Sequence, residues 1–116
     1  MRREFEPFDE KTIRAEFDSL PRKDRAKLAA LIEFYEDADI GNPYPAQVDA
    51  YEGGVFRLRH VKASYQGRAL FYVNESREGA QRLILLTIYK KESASALAAV
   101  LDRARRRMAD HKRRGL

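Results

Sequence analysis

The chain predicts an α+β fold: a small antiparallel β-sheet with two N-terminal helices packed on it and a C-terminal helix. Three observations carry this. Apolar residues recur at helical spacing through the first two-fifths of the chain. Three short runs in the middle, 55–62, 68–74 and 82–89, have strand-like patterns bounded by glycine or polar turns. A long basic stretch with one apolar stripe then closes the sequence.

Taken in order, Arg3–Phe8 is a candidate edge strand. Asp9 can cap a first helix that places Ile13, Phe17 and Leu20 on one face. Ser19-Leu-Pro21 marks a turn and a new start, since proline is tolerated in the first helical turn. Leu28, Leu31, Ile32 and Tyr35 then form the stripe of a second helix, with Arg22, Lys23, Arg25, Lys27, Glu33 and Glu36 on its other face. Gly41-Asn-Pro43 should stop that helix. Pro43-Tyr-Pro45 reads as an extended linker and Gly53-Gly54 as a turn.

In 55–62, Phe56, Leu58 and His60 point one way, and Arg57, Arg59 and Val61 the other. In 68–74, Arg68, Leu70 and Tyr72 share a face, and Asn74–Gly79 reads as a polar hairpin loop. Residues 82–89 are rich in Leu and Ile, the mark of a central strand buried on both sides. Short connections make an antiparallel meander the simplest arrangement. The final helix starts at Ser93 or Ser95, with Leu97, Leu101, Ala104 and Met108 as its stripe and seven basic residues between Arg103 and Arg114 around it.

A chain of 116 residues fits one domain, 1–116, with room for a real core. There is no cysteine, and the two histidines, His60 and His111, are far apart, so no thiolate or histidine metal set is expected and no cofactor motif is present. His60 is in phase with Phe56 and Leu58 and reads as an inward residue, while His111 reads as a bystander. No apolar run could span a bilayer, and Met1-Arg-Arg-Glu-Phe-Glu lacks the apolar stretch of a secretory signal. The expectation is a cytoplasmic protein without a membrane partner. The net charge of +5 favours a polyanionic or acidic partner.

Three strands displaying arginine, lysine and tyrosine suit the metal-free cleavage of RNA. That reaction needs a base for the 2′-OH proton, positive charge on the pentacovalent phosphate, and an acid for the leaving 5′-oxygen. Arginine suits the second task because its planar fork pairs with phosphate and stays charged. Lysine crowded by other cations can move protons, and tyrosine can stack on a base or donate its phenol. Arg57, Arg59, Arg68, Tyr72, Tyr89, Lys90 and Lys91 are the candidates. Arg68, at the start of its strand, reads as a surface cation.

The pieces resemble the RelE/HigB superfamily of bacterial toxins, and most of all its phage-derived HigB-like branch. The likeness lies in Ser19-Leu-Pro with Gly41-Asn-Pro, then Gly54-Val-Phe-Arg-Leu-Arg59, Gln66-Gly-Arg-Ala-Leu-Phe-Tyr72, Leu83-Ile-Leu-Leu-Thr-Ile-Tyr-Lys-Lys91 and Ala104-Arg-Arg-Arg-Met108, in that order. Arg57 stands where the branch has glutamate, and the paired histidine and acid of some HigB enzymes are missing.

The resemblance implies a RelE-like ribonuclease fold and a type II toxin–antitoxin toxin that cleaves mRNA on translating ribosomes. It also implies a cognate antitoxin, a small helix-turn-helix protein. Arg59, Arg68 and Lys91 are then the expected catalytic residues. Arg57, Tyr72, Tyr89 and Lys90 would hold RNA, and Arg106, Lys112 and Arg113 of the last helix would grip rRNA phosphates. A ParE-like branch keeps this fold but acts on gyrase, so a non-nuclease binding protein or phage regulatory module is the alternative reading.

Overall fold

The structure, a computed structural model, describes residues 2–38, 44–77 and 80–115. It is α+β, in the order β1 (Arg2–Pro7), α1 (Glu10–Asp18), α2 (Arg22–Asp37), β2 (Ala46–Tyr51), β3 (Val55–His60), β4 (Gly67–Arg77), β5 (Ala80–Lys90) and α3 (Ala94–Arg114). The expected helix stop at Gly41-Asn-Pro43 lies outside the described residues, as do positions 78 and 79 of the β4–β5 connection.

The sheet has five strands, ordered β1-β5-β4-β3-β2. The predicted meander is present as β3-β4-β5, with antiparallel pairing throughout. Two strands extend it. β2 pairs antiparallel with β3 across a turn in which Gly53 (φ 88°) and Gly54 (φ 84°) both adopt the left-handed conformation that favours glycine. β1 pairs in parallel with β5, from Arg2 opposite Ala80 to Pro7 opposite Leu85, so the sheet is mixed rather than purely antiparallel. A parallel pair needs a long crossover, and here α1, α2 and three strands intervene. The expected polar loop at Asn74–Gly79 is instead mostly strand, because β4 runs on to Arg77 and β5 begins at Ala80.

Asp9 caps α1 by accepting from the Thr12 amide at 2.9 Å, and Ser93 caps α3 by accepting from the Ala96 amide at 3.3 Å. The helices lie on both faces of the sheet. On one face, Ile13, Leu20, Leu28 and Leu31 of the N-terminal half pack on Leu58, Ala69, Phe71, Leu83, Leu85 and Ile88. On the other, Val100 and Ala104 of α3 pack on Val55, Leu70, Tyr72, Ile84, Leu86 and Tyr89.

β5 changes phase midway. Leu83 and Leu85 join the first core, yet so does Ile88, while Ile84, Leu86 and Tyr89 join the second. The cause is a register shift: Leu70 faces Thr87, but Phe71 faces Leu85. One extra residue in β5 moves every later side chain to the opposite face. Tyr89 therefore sits beside Arg68, its partner across the ladder.

Beyond Pro7, β1 no longer covers the edge of β5, and α1 takes over. The Glu16 carboxylate accepts from the Ile88 amide (3.0 Å) and the Thr87 hydroxyl (2.9 Å). Arg107 of α3 pairs with the same carboxylate at 2.8 Å and donates to the Leu86 carbonyl at 2.9 Å. The exposed backbone donors of an edge are satisfied this way, and both helix layers are tied to the segment that leads into Tyr89.

Candidate functional site

Arg57, Arg59, Arg68, Tyr89 and Lys91 converge on one cavity of about 290 Å³, lined also by Ala63, Glu92 and Leu97. Strand phase explains much of this. Arg57 and Arg59 stand two apart on β3, on the face that also carries Val55 and points toward α3. Arg68 opens β4 on the same face, Tyr89 reaches it through the register shift, and Lys91 follows at the end of β5. The Lys91 amide is anchored to the Gln66 carbonyl at 2.8 Å.

Arg68 is the least accessible of the cations, only 3% exposed. Its expected role as a surface cation is corrected: the side chain is held against the 61–66 loop and enclosed among Arg57, Arg59 and Tyr89. Its Nη1 donates to the carbonyls of Tyr65 (2.6 Å) and Gly67 (3.2 Å), and among the described residues no carboxylate pairs with it. Burial lowers its pKa, and the nearby Arg57 and Arg59 charges lower it further. A buried guanidinium held by neutral carbonyls beside two like charges is an unbalanced arrangement. An anion entering the cavity would balance it.

Asp49 on β2 was invisible as a site residue in the sequence. Its Oδ2 accepts from Arg57 Nε (3.1 Å), Arg57 Nη2 (2.9 Å) and Arg59 Nε (3.2 Å). Burial pushes this carboxyl up, but the hydrogen bonds from Arg57, Gln47 and Arg59 outweigh it and hold it below the usual carboxylate range. One carboxylate thus aims two arginines while cancelling only part of their charge. Tyr89 is buried, and its hydroxyl makes no hydrogen bond of good geometry, although it lies within the influence of Arg57. Burial raises its phenol above the ordinary value, so it stays protonated and can donate.

Asp24 is a second residue that sequence reasoning missed. It is buried in the first turn of α2 and accepts from the Gln66 amide at 2.9 Å. The adjacent Gly67 is closely packed: an added Cβ would lie 3.3 Å from both the Asp24 carbonyl oxygen and Leu28 Cβ, and its neighbours would have to give by a few tenths of an ångström. This close approach seats α2 against the strand that carries Arg68.

The remaining candidates lie elsewhere. Tyr72 shares the face of Arg68 but is covered by α3, 3% exposed, with its hydroxyl hydrogen-bonded to His111 Nδ1 and Lys112 above its ring. It has no free face for a base, which corrects its expected role, and His111 is a buried partner rather than a bystander. Lys90 is exposed and outside the cavity. His60 is buried as expected, its Nδ1 accepting from the Lys62 amide at 2.9 Å.

The cations of α3 divide in two. Arg103 donates to the Thr87 hydroxyl, Arg105 to the Glu52 carbonyl and Arg107 to Glu16, so these three fasten the helix to the body. Arg106, Lys112, Arg113 and Arg114 are exposed, the last two pairing with Asp110.

With this geometry in place, the comparison with known families is informative. Residues 15–109 match the family described as Phage derived protein Gp49-like (DUF891). The chain belongs to that family. It is one of the families of the RelE/HigB-like toxin superfamily, is associated with the toxins of toxin–antitoxin pairs, and so implies an antitoxin partner. No curated protein matches the chain. Among the described residues, no helix is long and apolar enough to cross a membrane.

Proposed function

We propose that the protein is a ribosome-dependent, metal-independent mRNA endoribonuclease that inhibits translation as the toxin of a type II toxin–antitoxin pair. The observation that carries this reading is Arg68, a buried guanidinium without a carboxylate, facing Arg57 and Arg59 in a cavity that also holds Lys91. Preorganised cations aimed at a phosphate stabilise the charge that develops in the transition state, and they act most strongly where water is excluded.

The proposed reaction is a transesterification. The 2′-oxygen attacks phosphorus and loses its proton, the P–O5′ bond breaks, and the 5′-oxygen takes up a proton. The products are a 2′,3′-cyclic phosphate and a free 5′-OH. Arg59 and Arg68 hold the non-bridging oxygens, with Arg57 adding charge beside them. The unpaired Tyr89 hydroxyl donates to the same group, and Lys91 at the rim moves the protons. The outward cations Arg106, Lys112 and Arg113 grip rRNA phosphates.

The test is expression of the chain alone, with mapping of transcript ends after induction. The expected result is arrested translation with new mRNA ends that carry a 5′-OH and a 2′,3′-cyclic phosphate, and normal DNA supercoiling. Intact transcripts with accumulating gyrase–DNA complexes would overturn the ribonuclease reading in favour of a gyrase-directed toxin.

A further inference from the structure

The loop that anchors Arg68 carries a second cationic cluster on its other side. Lys27 Nζ lies 4.6 Å from the centroid of the Tyr65 ring, and Lys23 Nζ lies 5.7 Å from it. Cation–π attraction to the shared ring holds the two ammonium groups near each other. Among the described residues, neither lysine has a carboxylate within ion-pair distance. The His60 ring packs edge-on against Tyr65, with centroids 4.8 Å apart, and its Nδ1 accepts from the Lys62 amide, which fixes the loop; the charges of both Lys27 and Lys62 act on the His60 ring. The cluster and the arginine cavity are joined directly. The Tyr65 carbonyl accepts from Arg68 at 2.6 Å, and Ala63 of the same loop lines the cavity.

Helix α2 is charged against its own dipole. Arg22, Lys23, Arg25 and Lys27 occupy its first two turns, while Glu33, Glu36 and Asp37 lie toward its C-terminus. Each placement is the unfavourable one for a helix. Asp24 in the first turn offsets part of this, and Arg25 and Glu36 have structural partners in the Asp18 carbonyl and the Phe5 amide. Among the described residues, however, Lys23 and Lys27 meet only the Tyr65 ring, and for them the unfavourable placement is consistent with a functional demand. Here it gathers positive charge at the end of α2 that Gly67 and Asp24 seat against β4.

We propose that Lys23, Lys27 and Lys62, arrayed around Tyr65, form a second phosphate subsite, which takes the phosphodiester flanking the one held by the arginines on a single RNA strand. The proposal rests on the ribonuclease reading of the arginine cavity. The subsite sets the path of the strand: along the 61–66 loop toward α2, rather than over α3.

The test compares the wild-type chain with a Lys23→Gln/Lys27→Gln variant, using a fluorescein-labelled hexaribonucleotide and a labelled dinucleoside monophosphate as probes across a salt series. Circular dichroism and melting first establish that the variant folds. Its melting temperature should be no lower than that of the wild type, because the cations removed oppose the helix dipole. If the subsite exists, the variant binds the hexamer more weakly and the slope of log K against log salt flattens by about 0.7, the value for one single-strand phosphate contact. Binding of the dinucleoside monophosphate stays unchanged. An unchanged slope for the hexamer overturns the subsite and leaves the arginine site standing. Wild-type protein that binds the hexamer no more tightly than the dinucleoside monophosphate also overturns the subsite, while the ribonuclease reading stands or falls on the mapped transcript ends. Unchanged hexamer binding with weakened binding of an acidic antitoxin peptide assigns the cluster to a protein partner and also overturns the proposal.

Discussion

Arg68 shows how far side-chain burial changes the meaning of a basic residue. An exposed cation contributes little to stability, whereas this one satisfies the Tyr65 and Gly67 carbonyls from inside the molecule. Arg68→Ala leaves those carbonyls without that donor and should cost about 1–3 kcal/mol of stability, so loss of activity in that variant would be ambiguous. Arg68→Lys separates the effects, because it keeps the charge and loses the planar fork. The expected outcome is a fold intact by circular dichroism and cleavage lowered by about 10²–10³-fold, the usual cost of one oxyanion donor. Wild-type cleavage by Arg68→Lys would remove the guanidinium from the mechanism. Period-two alternation was enough to pair Arg57 with Arg59 on one face of their strand and Arg68 with Tyr72 on one face of the next, but not to set the two faces together. It could not show that Asp49 aims two of the arginines, since the partner across a strand pair depends on a strand, β2, that the sequence reading did not identify. Alternation also names a face without saying which part of it a helix covers, which is why Tyr72 looked available and is not.

At the level of elements, α3 joins the fold through a hydrogen bond between two buried groups, the Tyr72 hydroxyl and His111. Burial lowers the His111 pKa and the nearby Arg82 lowers it further, while Glu6 and Asp110 partly oppose this, and Arg114 and Lys112 add positive charge nearby. The imidazole is therefore neutral in the folded state. Its contribution to stability is full above the ordinary histidine pKa of about 6.5 and declines as pH falls below that toward the folded value. Buried His60 acts in the same direction. Melting temperature should fall between pH 7.5 and 5.5, and a Tyr72→Phe/His111→Leu variant should fall less, retaining only the His60 share. An equal fall in both proteins would exclude His111 as a source. The outward face of the same helix gives a separate prediction. Arg106→Gln/Arg113→Gln should weaken ribosome pelleting and flatten its salt dependence, with little change in melting temperature, because neither fastens α3 to the sheet. A lower melting temperature with unchanged ribosome binding would assign these charges to the helix dipole instead.

Over the whole molecule, the three helices and the β3-β4-β5 meander were legible from periodicity, caps and turns, and they account for the α+β class. What escaped was long-range. The Arg3–Phe8 edge segment could be recognised as a strand, but its parallel partner could not be inferred from any local signal. Ala46-Gln-Val-Asp-Ala-Tyr51 alternates too weakly to announce β2. The register shift in β5 was equally hidden, because a run of Leu and Ile reads the same in either phase, yet that single extra residue brings Tyr89 to the arginines.

The parallel pairing of β1 with β5 also imposes an order in time. β1 finds its neighbour only after residues 80–85 have been made, and Lys91 lies six residues beyond. Until then the nascent chain carries an unmatched N-terminal segment and an incomplete ring of cations. Contacts between such distant parts of a chain form late and slowly. Under the proposed toxin function, that delay is a window in which a partner can meet the chain before its cations are assembled.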